Sequence, residues 1–574
     1  MTNTAVKNFD WQRSLLIVGI LCISVLLIRE WVAFDKVYEA ERTQQLASVA
    51  NTTALIPDGT DSDTPTLALP DTSTTDSAGD VPTLPKAGGA TIAQPAANQE
   101  SLITVKTDTF QATIDTLGGD LVNVALVKHY SDLESREPYV MLQRDQFNQY
   151  IAQSGLIGEN GTDSNGNRPV FSASKQTFTL EEGKDSLNVD LTFSKDNIEI
   201  TKRYTFNRND NLIQLEYIIE NNTESEWSGA LYGQIKRNDF APIEPSASSL
   251  GMQPYLGAAV TTPDEHYKKL DFEDLAKSSF TLSQTGGWVA MVQHYFISSW
   301  IPPQQSKNHF RLLKSGDHFL LGFNTSRFVI PPGEKRSVTS GFYVGPKDID
   351  RLEEISPYLD LTIDYGWLWW IAKPLFHALD AIHSVIGNWG WAIIILTIGI
   401  KALFYYPSNI SYRSMAGMRK LQPKMAELKE RYGDDRQRMG SELMKLYRDS
   451  GVNPMSSCLP ILMQMPVFLA LYWMLFESVE LRHAPFVGWI NDLSVMDPYF
   501  ILPLIMGATM WIQQRLQPTP ADPTQAKVMQ FMPVLFTVMF IFFPAGLVLY
   551  WVVNNTLSII QMWWVNRLVA GSTK

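Results

Sequence analysis

Hydrophobic residues recur with a period of two across residues 101–345. Leu187, Val189, Leu191 and Phe193 alternate with Asn188, Asp190 and Thr192. Phe110, Ala112 and Ile114 alternate ahead of Leu117-Gly118-Gly119-Asp120, and residues 212–219 form another such run after Asn207-Arg208-Asn209-Asp210. Alternation turns one face of a strand to a core and the other to solvent. Many short strands with polar turns predict an all-β sandwich, with a short helix at 348–359 leaving it.

The pattern then changes. Uncharged apolar runs occupy residues 14–28, 459–476, 499–512, 528–543 and 546–564, and a further run at 387–406 carries one charge, Lys401. They predict six membrane spans, an N-terminal anchor and five in the C-terminal third, and exclude a purely soluble protein. Arg29, Glu30 and Trp31 follow the first run where small residues would mark a cleavage site, so it reads as an uncleaved anchor rather than a signal peptide. Between 367 and 386 the period is helical. Lys373, His377, Asp380 and Ser384 share one face, and Leu368, Ile371, Leu375, Leu379, Ile382 and Ile386 share another. That pattern, with tryptophans nearby, predicts a helix lying in the membrane interface; an ordinary core helix is the plainer alternative. Residues 408–453 read as a helical hairpin turning at Gly433-Asp434-Asp435, either solvated or a docking surface for nascent chain, ribosomal RNA or lipid headgroups.

Charge orients these elements. The net charge of −12 divides into −18 for residues 35–364 and +6 for the remainder. The 408–453 hairpin has ten Lys/Arg against six Asp/Glu, and basic loops stay cytoplasmic. Both termini are then inside and the acidic block outside. Residues 43–100 hold no aromatic side chain and one basic residue, Lys86, which predicts a flexible linker. The segments are therefore an anchor at 1–34, a linker at 35–100, a β domain at 101–365, an interfacial helix at 366–386 and a helical core at 387–574. Two cysteines, both at apolar runs, give neither a disulfide framework nor a metal site. No cofactor is expected, and nothing suggests sequence-specific binding of nucleic acid.

Lys401 carries the sharpest chemistry. It lies 14 residues into its run, with 402–406 still apolar beyond it. A lysine there costs a few kcal/mol unless it faces protein or a water-filled cavity, or unless its stem snorkels to the headgroups. None of the five C-terminal spans contains Asp, Glu or His. Thr397 precedes Lys401 by one turn, and Gln464, Asn554 and Asn555 lie in other spans. Uncharged polar groups around one cation suggest a hydrated groove open to an acidic visitor; the amides also fit a role as helix–helix glue. Nine methionines near spans three to five add adaptable apolar surface, though lipid-facing packing accounts for any single one. The 14-residue run at 499–512 would span only about 21 Å, which implies a locally thinned bilayer.

Met415-Ala416-Gly417-Met418-Arg419-Lys420-Leu421-Gln422-Pro423-Lys424 resembles the cytoplasmic hairpin of the YidC/Oxa/Alb membrane protein insertases. So do Val452-Asn453-Pro454, Gln464-Met465-Pro466, Phe531-Met532-Pro533 and Phe543-Pro544-Ala545-Gly546-Leu547. With the anchor and a β domain carrying Gly287-Trp288-Val289-Ala290-Met291, the whole chain is similar to the Gram-negative branch of that family. The resemblance implies a periplasmic supersandwich and a five-helix core with a groove open to cytoplasm and lipid. Its activity is insertion and chaperoning of inner-membrane proteins, alone or with the Sec translocon. Lys401 stands at the family's groove arginine, keeping the charge and losing the forked donors. Thr397 matches the groove threonine, and Tyr550-Trp551 stand where two tyrosines are common. Substrates are implied to slide along 459–476 and 528–543.

The expected groove is thus Lys401, Thr397, Gln464, Tyr550, Trp551, Asn554 and Asn555, with no catalytic residue. A polytopic secondary transporter would need internal repeats and intramembrane ion ligands, and neither is found. A periplasmic hydrolase would need a catalytic motif around His129, His266, His294, His309 or His318, and none is recognised. The linker leads to the expectation that much of 101–345 is dispensable for insertion. Ribosome docking is expected to use the hairpin and the 513–527 loop.

Overall fold

The computed structural model describes residues 101–163, 168–239, 254–432, 435–452, 459–518 and 523–571. The N-terminal anchor and the linker lie outside them, as do Gly433-Asp434, Asn453-Pro454 and part of the 513–527 loop.

Residues 102–346 form a sandwich of two sheets. The eleven-stranded sheet starts at the Phe280–Thr285 edge and passes through Lys307–Ser315, His318–Thr325, Trp227–Asn238 and Gln149–Ile157 towards Leu102–Lys106 and Thr177–Thr179. The nine-stranded sheet runs from Lys268–Leu270 through Val289–Val292, Phe296–Ile301, Lys335–Pro346, Leu212–Asn221 and Ile198–Asn207 to the Ser172–Ala173 edge. The alternation read from sequence is the burial pattern: Phe110, Ala112 and Ile114 point inward, as do Ile213, Leu215, Tyr217 and Ile219. Gly233 permits a close approach of the sheets, since a Cβ there would press on the Trp300 ring of the other sheet and on Phe323 of the neighbouring strand.

Several inner strands break the alternation. Val289–Val292 and Phe296–Ile301 are buried at every position. Their second face has another cover. Ala259, Trp288, Ala290, Val292, Ile297, Ile301 and Tyr343 belong to one packed cluster with Phe376, Leu379, Leu471 and Met474 of the C-terminal helices. The nine-stranded sheet is therefore a middle layer between the other sheet and the helical core.

The helices are α1 (Phe272–Lys277), α2 (Ile349–Ile355), α3 (Trp369–Ile386), α4 (Trp389–Leu403), α5 (Tyr405–Lys420), α6 (Gln422–Tyr432), α7 (Arg436–Asp449), α8 (Leu459–Glu477), α9 (Ile501–Arg515), α10 (Pro523–Phe540) and α11 (Ala545–Gly571). Helix α3 buries Leu368, its N-cap, with Ala372, Phe376 and Leu379, a stripe of four, four and three residues. It leaves Trp367, Trp369 and Trp370 exposed beside it. Among the described residues, α11 alone is long and apolar enough to cross a membrane, over Ala545–Val569. Helices α4 and α5 meet that test jointly but bend by 69° at Phe404. Helix α9 has 15 residues, about 22 Å of rise. It lies close to α10 because Gly507 has no side chain; a Cβ there would overlap Thr537 Oγ1.

The bend changes the position of Lys401. The sequence places apolar helix through Tyr406, whereas α4 ends at Leu403, two residues past the lysine. Helix α5 continues the chain in a new direction to Lys420, and the antiparallel arms α6 and α7 follow. The α5–α6 break falls at Leu421, beside Pro423, whose missing N–H does no harm in a first turn.

Candidate functional site

Tyr550, Asn554 and Ser558 recur every fourth residue on α11 and so share one face. Helix α4 brings Lys401 to that face, and α8 brings Gln464. The Lys401 ammonium donates to Ser558 Oγ at 2.8 Å and to Gln464 Oε1 at 3.4 Å. The Gln464 amide donates to Asn554 Oδ1 and, at 3.5 Å, to Tyr550 OH. Ser558 Oγ donates its own hydrogen to the Asn554 carbonyl at 2.8 Å, leaving its lone pairs for the lysine. Three helices distant in sequence thus meet in one hydrogen-bonded cluster.

The electrostatics follow from the partners. Lys401 sits in the last turn of α4, where the helix dipole favours a cation. Its partners are the amide of Gln464 and the hydroxyl of Ser558, and among the described residues no carboxylate forms an ion pair with it. Neutral dipoles orient the charge without cancelling it. Leu403 and Tyr406, just beyond, are about three-quarters exposed. The result is one oriented cation at the border of an apolar surface.

Four of the seven expected residues, Lys401, Gln464, Tyr550 and Asn554, join this cluster. Thr397 is buried one turn away and donates to the Ile393 carbonyl at 2.6 Å. Asn555 turns to α9, donating to Thr509 Oγ1 at 3.4 Å, which is the helix–helix glue alternative. Trp551 forms an aromatic wall with Phe468, centroids 4.5 Å apart and nearly perpendicular, and with Phe540 at 5.2 Å. Ser558 is the member that sequence reasoning missed; its signal was the spacing of four that continues from Tyr550 and Asn554.

Apolar surface flanks the cluster. Phe531, Val534, Leu535 and Val538 on α10 are exposed, and so is Met465 on α8. Helix α10 packs on α9, and α8 packs on α3 and α5. Trp551 stands between α8 and α10, touching Phe468 of one and Phe536 and Phe540 of the other.

Two family models match: "YidC periplasmic domain" over residues 102–378 and "60Kd inner membrane protein" over residues 381–572. The membrane protein insertase YidC of Cellvibrio japonicus is 52% identical over 564 residues, covering 98% of this chain and 99% of that one. The protein of the same name from Saccharophagus degradans is 56% identical over 472 residues, covering 82% and 84%. A solved active YidC insertase, with its first transmembrane domain resolved, aligns over 81% of this chain and 92% of that one at 17% identity and a TM-score of 0.36. The sequence identities across both segments carry the assignment: this chain belongs to the YidC family of membrane protein insertases.

Proposed function

We propose that this insertase works through the Lys401 cluster, which receives the polar, preferentially acidic, part of a nascent membrane protein. The family's activity is not enzymatic, and the groove needs only to bind, partly desolvate and release its substrate sideways. The supporting observation is that the Lys401 charge is oriented by Ser558 and Gln464 and neutralised by neither. In a poorly screened site such a charge attracts a passing carboxylate strongly. The exposed apolar faces of α8 and α10 are the path for the apolar part of the substrate.

The arrangement in the bacterial inner membrane follows from charge. The basic hairpin and both termini are cytoplasmic, and the β sandwich is periplasmic. Ribosome contact then falls to α6, α7 and the 513–527 loop, and lipid contact to the exposed tryptophans around α3. The Sec translocon is a further partner on this reading. The test is photocrosslinking from positions beside Lys401 to a stalled nascent chain in native membranes. Crosslinks at Ala402 and Met465, and none from exposed positions of the β domain, are expected. A nascent chain that avoids both groove positions refutes the proposal.

A further inference from the structure

Helix α8 ends in an unfavourable way. Glu477 is its last residue, and a carboxylate in a final turn opposes the helix dipole. The residue is also buried. Its partner is Lys347, just past the last strand of the sandwich: Nζ to Oε2 is 2.6 Å, and the two side chains are 2% and 7% exposed. Lys347 Nζ also donates to the Thr362 carbonyl at 3.4 Å. One residue earlier on α8, the Phe476 carbonyl meets His294 Nε2 at 2.9 Å, and the two rings pack at 4.5 Å. Lys347 and His294 belong to one end of the nine-stranded sheet, where Phe296 pairs with Pro346 and the Lys347 N–H bonds the Tyr295 carbonyl. One sheet end thus holds the last two residues of α8 by an ion pair and a capped carbonyl.

We infer that Lys347 and Glu477 are positioning residues for insertion: a buried latch that fixes the periplasmic end of α8 to the β domain and so holds Gln464 in register with Lys401 and Asn554. The mechanical reason lies in α8 itself. Gln464 is 13 residues from Glu477, about 20 Å along the axis. Pro466 lies inside the helix between them, and its missing N–H removes a backbone hydrogen bond next to the cluster. The groove end of α8 thus has a weak point beside it, and its fixed end is the far one. A buried charge left without its partner is strongly unfavourable, whereas replacing both by apolar groups is often tolerated. The two residues should therefore behave as a coupled pair.

The experiment uses the full chain in proteoliposomes, carrying Cys22→Ser and Cys458→Ser. Spin labels go on Asp317→Cys in the β domain and Met465→Cys on α8. The distance between labels is read without substrate, so its outcome is independent of where a nascent chain binds. Insertion is then measured at matched protein levels. Lys347→Met and Glu477→Gln should each broaden the distance distribution and lower insertion about tenfold, and Lys347→Met/Glu477→Leu should restore both to within about threefold of the parent. Lys373→Met, which breaks a more exposed bridge to Glu353 and Asp360 near the same joint, should leave the distance sharp. Unchanged distances in both single variants overturn the latch, as do losses that simply multiply in the double variant. Should the single variants be too unstable to purify, the double variant decides: parent-like distance and insertion support the latch, and loss of both refutes it.

Discussion

Lys401 and Ser558 lie 157 positions apart in sequence, and the ammonium of one donates to the hydroxyl of the other across 2.8 Å. The hydroxyl's own hydrogen is committed to the Asn554 carbonyl, so its lone pairs face the cation. Helix α11 thereby aims a charge that α4 supplies. A hydrogen bond to a charged group contributes about 1.5–3 kcal/mol. Ser558→Ala should leave Lys401 charged but less fixed. Insertion of an acidic-tailed substrate should fall several-fold, with a loss of stability of up to about 1.5–3 kcal/mol. Ser558→Thr, which keeps the hydroxyl, should retain most of the activity. Equal losses for Ala and Thr, measured by insertion rates at matched levels, would point to crowding rather than aim.

Trp288 should matter more to the joint than an equally buried tryptophan elsewhere. It is fully buried in the cluster shared by sheet and helices, and its indole N–H donates to the Pro357 carbonyl at 3.2 Å. Trp227 is also buried but packs within the sandwich, against Phe328. Replacing either by Ala should cost about 3–5 kcal/mol. Hydrogen exchange separates them. Trp288→Ala should loosen the amides at the end of α8 and in Leu359–Thr362, whereas Trp227→Ala should loosen only strands around Trp227–Asn238. Identical exchange maps for the two variants would rule out a shared sheet–helix core.

Much of this architecture was legible because strands and membrane helices have local periods. The run at Leu212–Asn221 announces a half-buried strand in its own sequence. The run at 546–564 likewise announces a buried or membrane helix. The hydrogen-bonded cluster was legible as far as each polar residue was odd in an apolar run, which is true of Lys401, Gln464 and Asn554. Ser558 was missed because a serine in a helix is commonplace until its partner is known. The joint was missed for a different reason. Lys347 and Glu477 are ordinary charges in polar stretches, and only tertiary packing buries them together. The modular picture, in which a linker implies a dispensable domain, could not see that Val289–Val292 is covered on both faces. Removing residues 101–345 would uncover Phe376, Leu379 and Leu471.

The sandwich should become more stable as pH rises above neutrality. Lys202 is fully buried; its ammonium donates to the Gly118 carbonyl at 2.9 Å and the Ser154 carbonyl at 3.2 Å. Burial, with repulsion from Arg168, lowers its pKa to about 7 against the pull of Asp120 and Asp163. An unfolded lysine keeps its proton to about pH 10.4. Between the two values the unfolded chain binds more protons, so stability increases with pH there and is flat below it. The gain is on the order of a few kcal/mol. Above about pH 10 the buried Tyr204, Tyr217 and Tyr232, all raised by desolvation, reverse the trend, because unfolded tyrosines ionise first. Thermal midpoints of the sandwich transition should therefore peak near pH 9–10, within the limits set by these pKa values. Lys202→Met should flatten the rise. A rise that persists in Lys202→Met would assign it to another group.

The role proposed for the Lys401 charge is tested by a series at that residue. Lys401→Arg keeps the cation, and its longer fork can still reach Ser558 Oγ, so insertion should be retained. Lys401→Ala leaves Ser558 and Gln464 with their bonds to Asn554 and removes the attraction for a translocated carboxylate. It should impair an acidic-tailed substrate more than a neutral-tailed one. Lys401→Glu should be worse still, since it places a like charge beside the acidic tail where screening is poor. The end of α4 at Leu403 sharpens the alternative. A lysine two residues from a helix end can reach headgroups by snorkelling, and on that reading Lys401→Ala is harmless for both substrates. The hydrogen bonds to Ser558 and Gln464 argue the other way, because they turn the stem towards α8 and α11. Insertion rates for the two substrates, at matched levels of each variant, decide the matter. Equal activity of Lys401→Ala and the parent on both removes the residue from the mechanism. A uniform loss on both assigns it to keeping the groove hydrated, and a loss confined to the acidic tail assigns it to charge pairing.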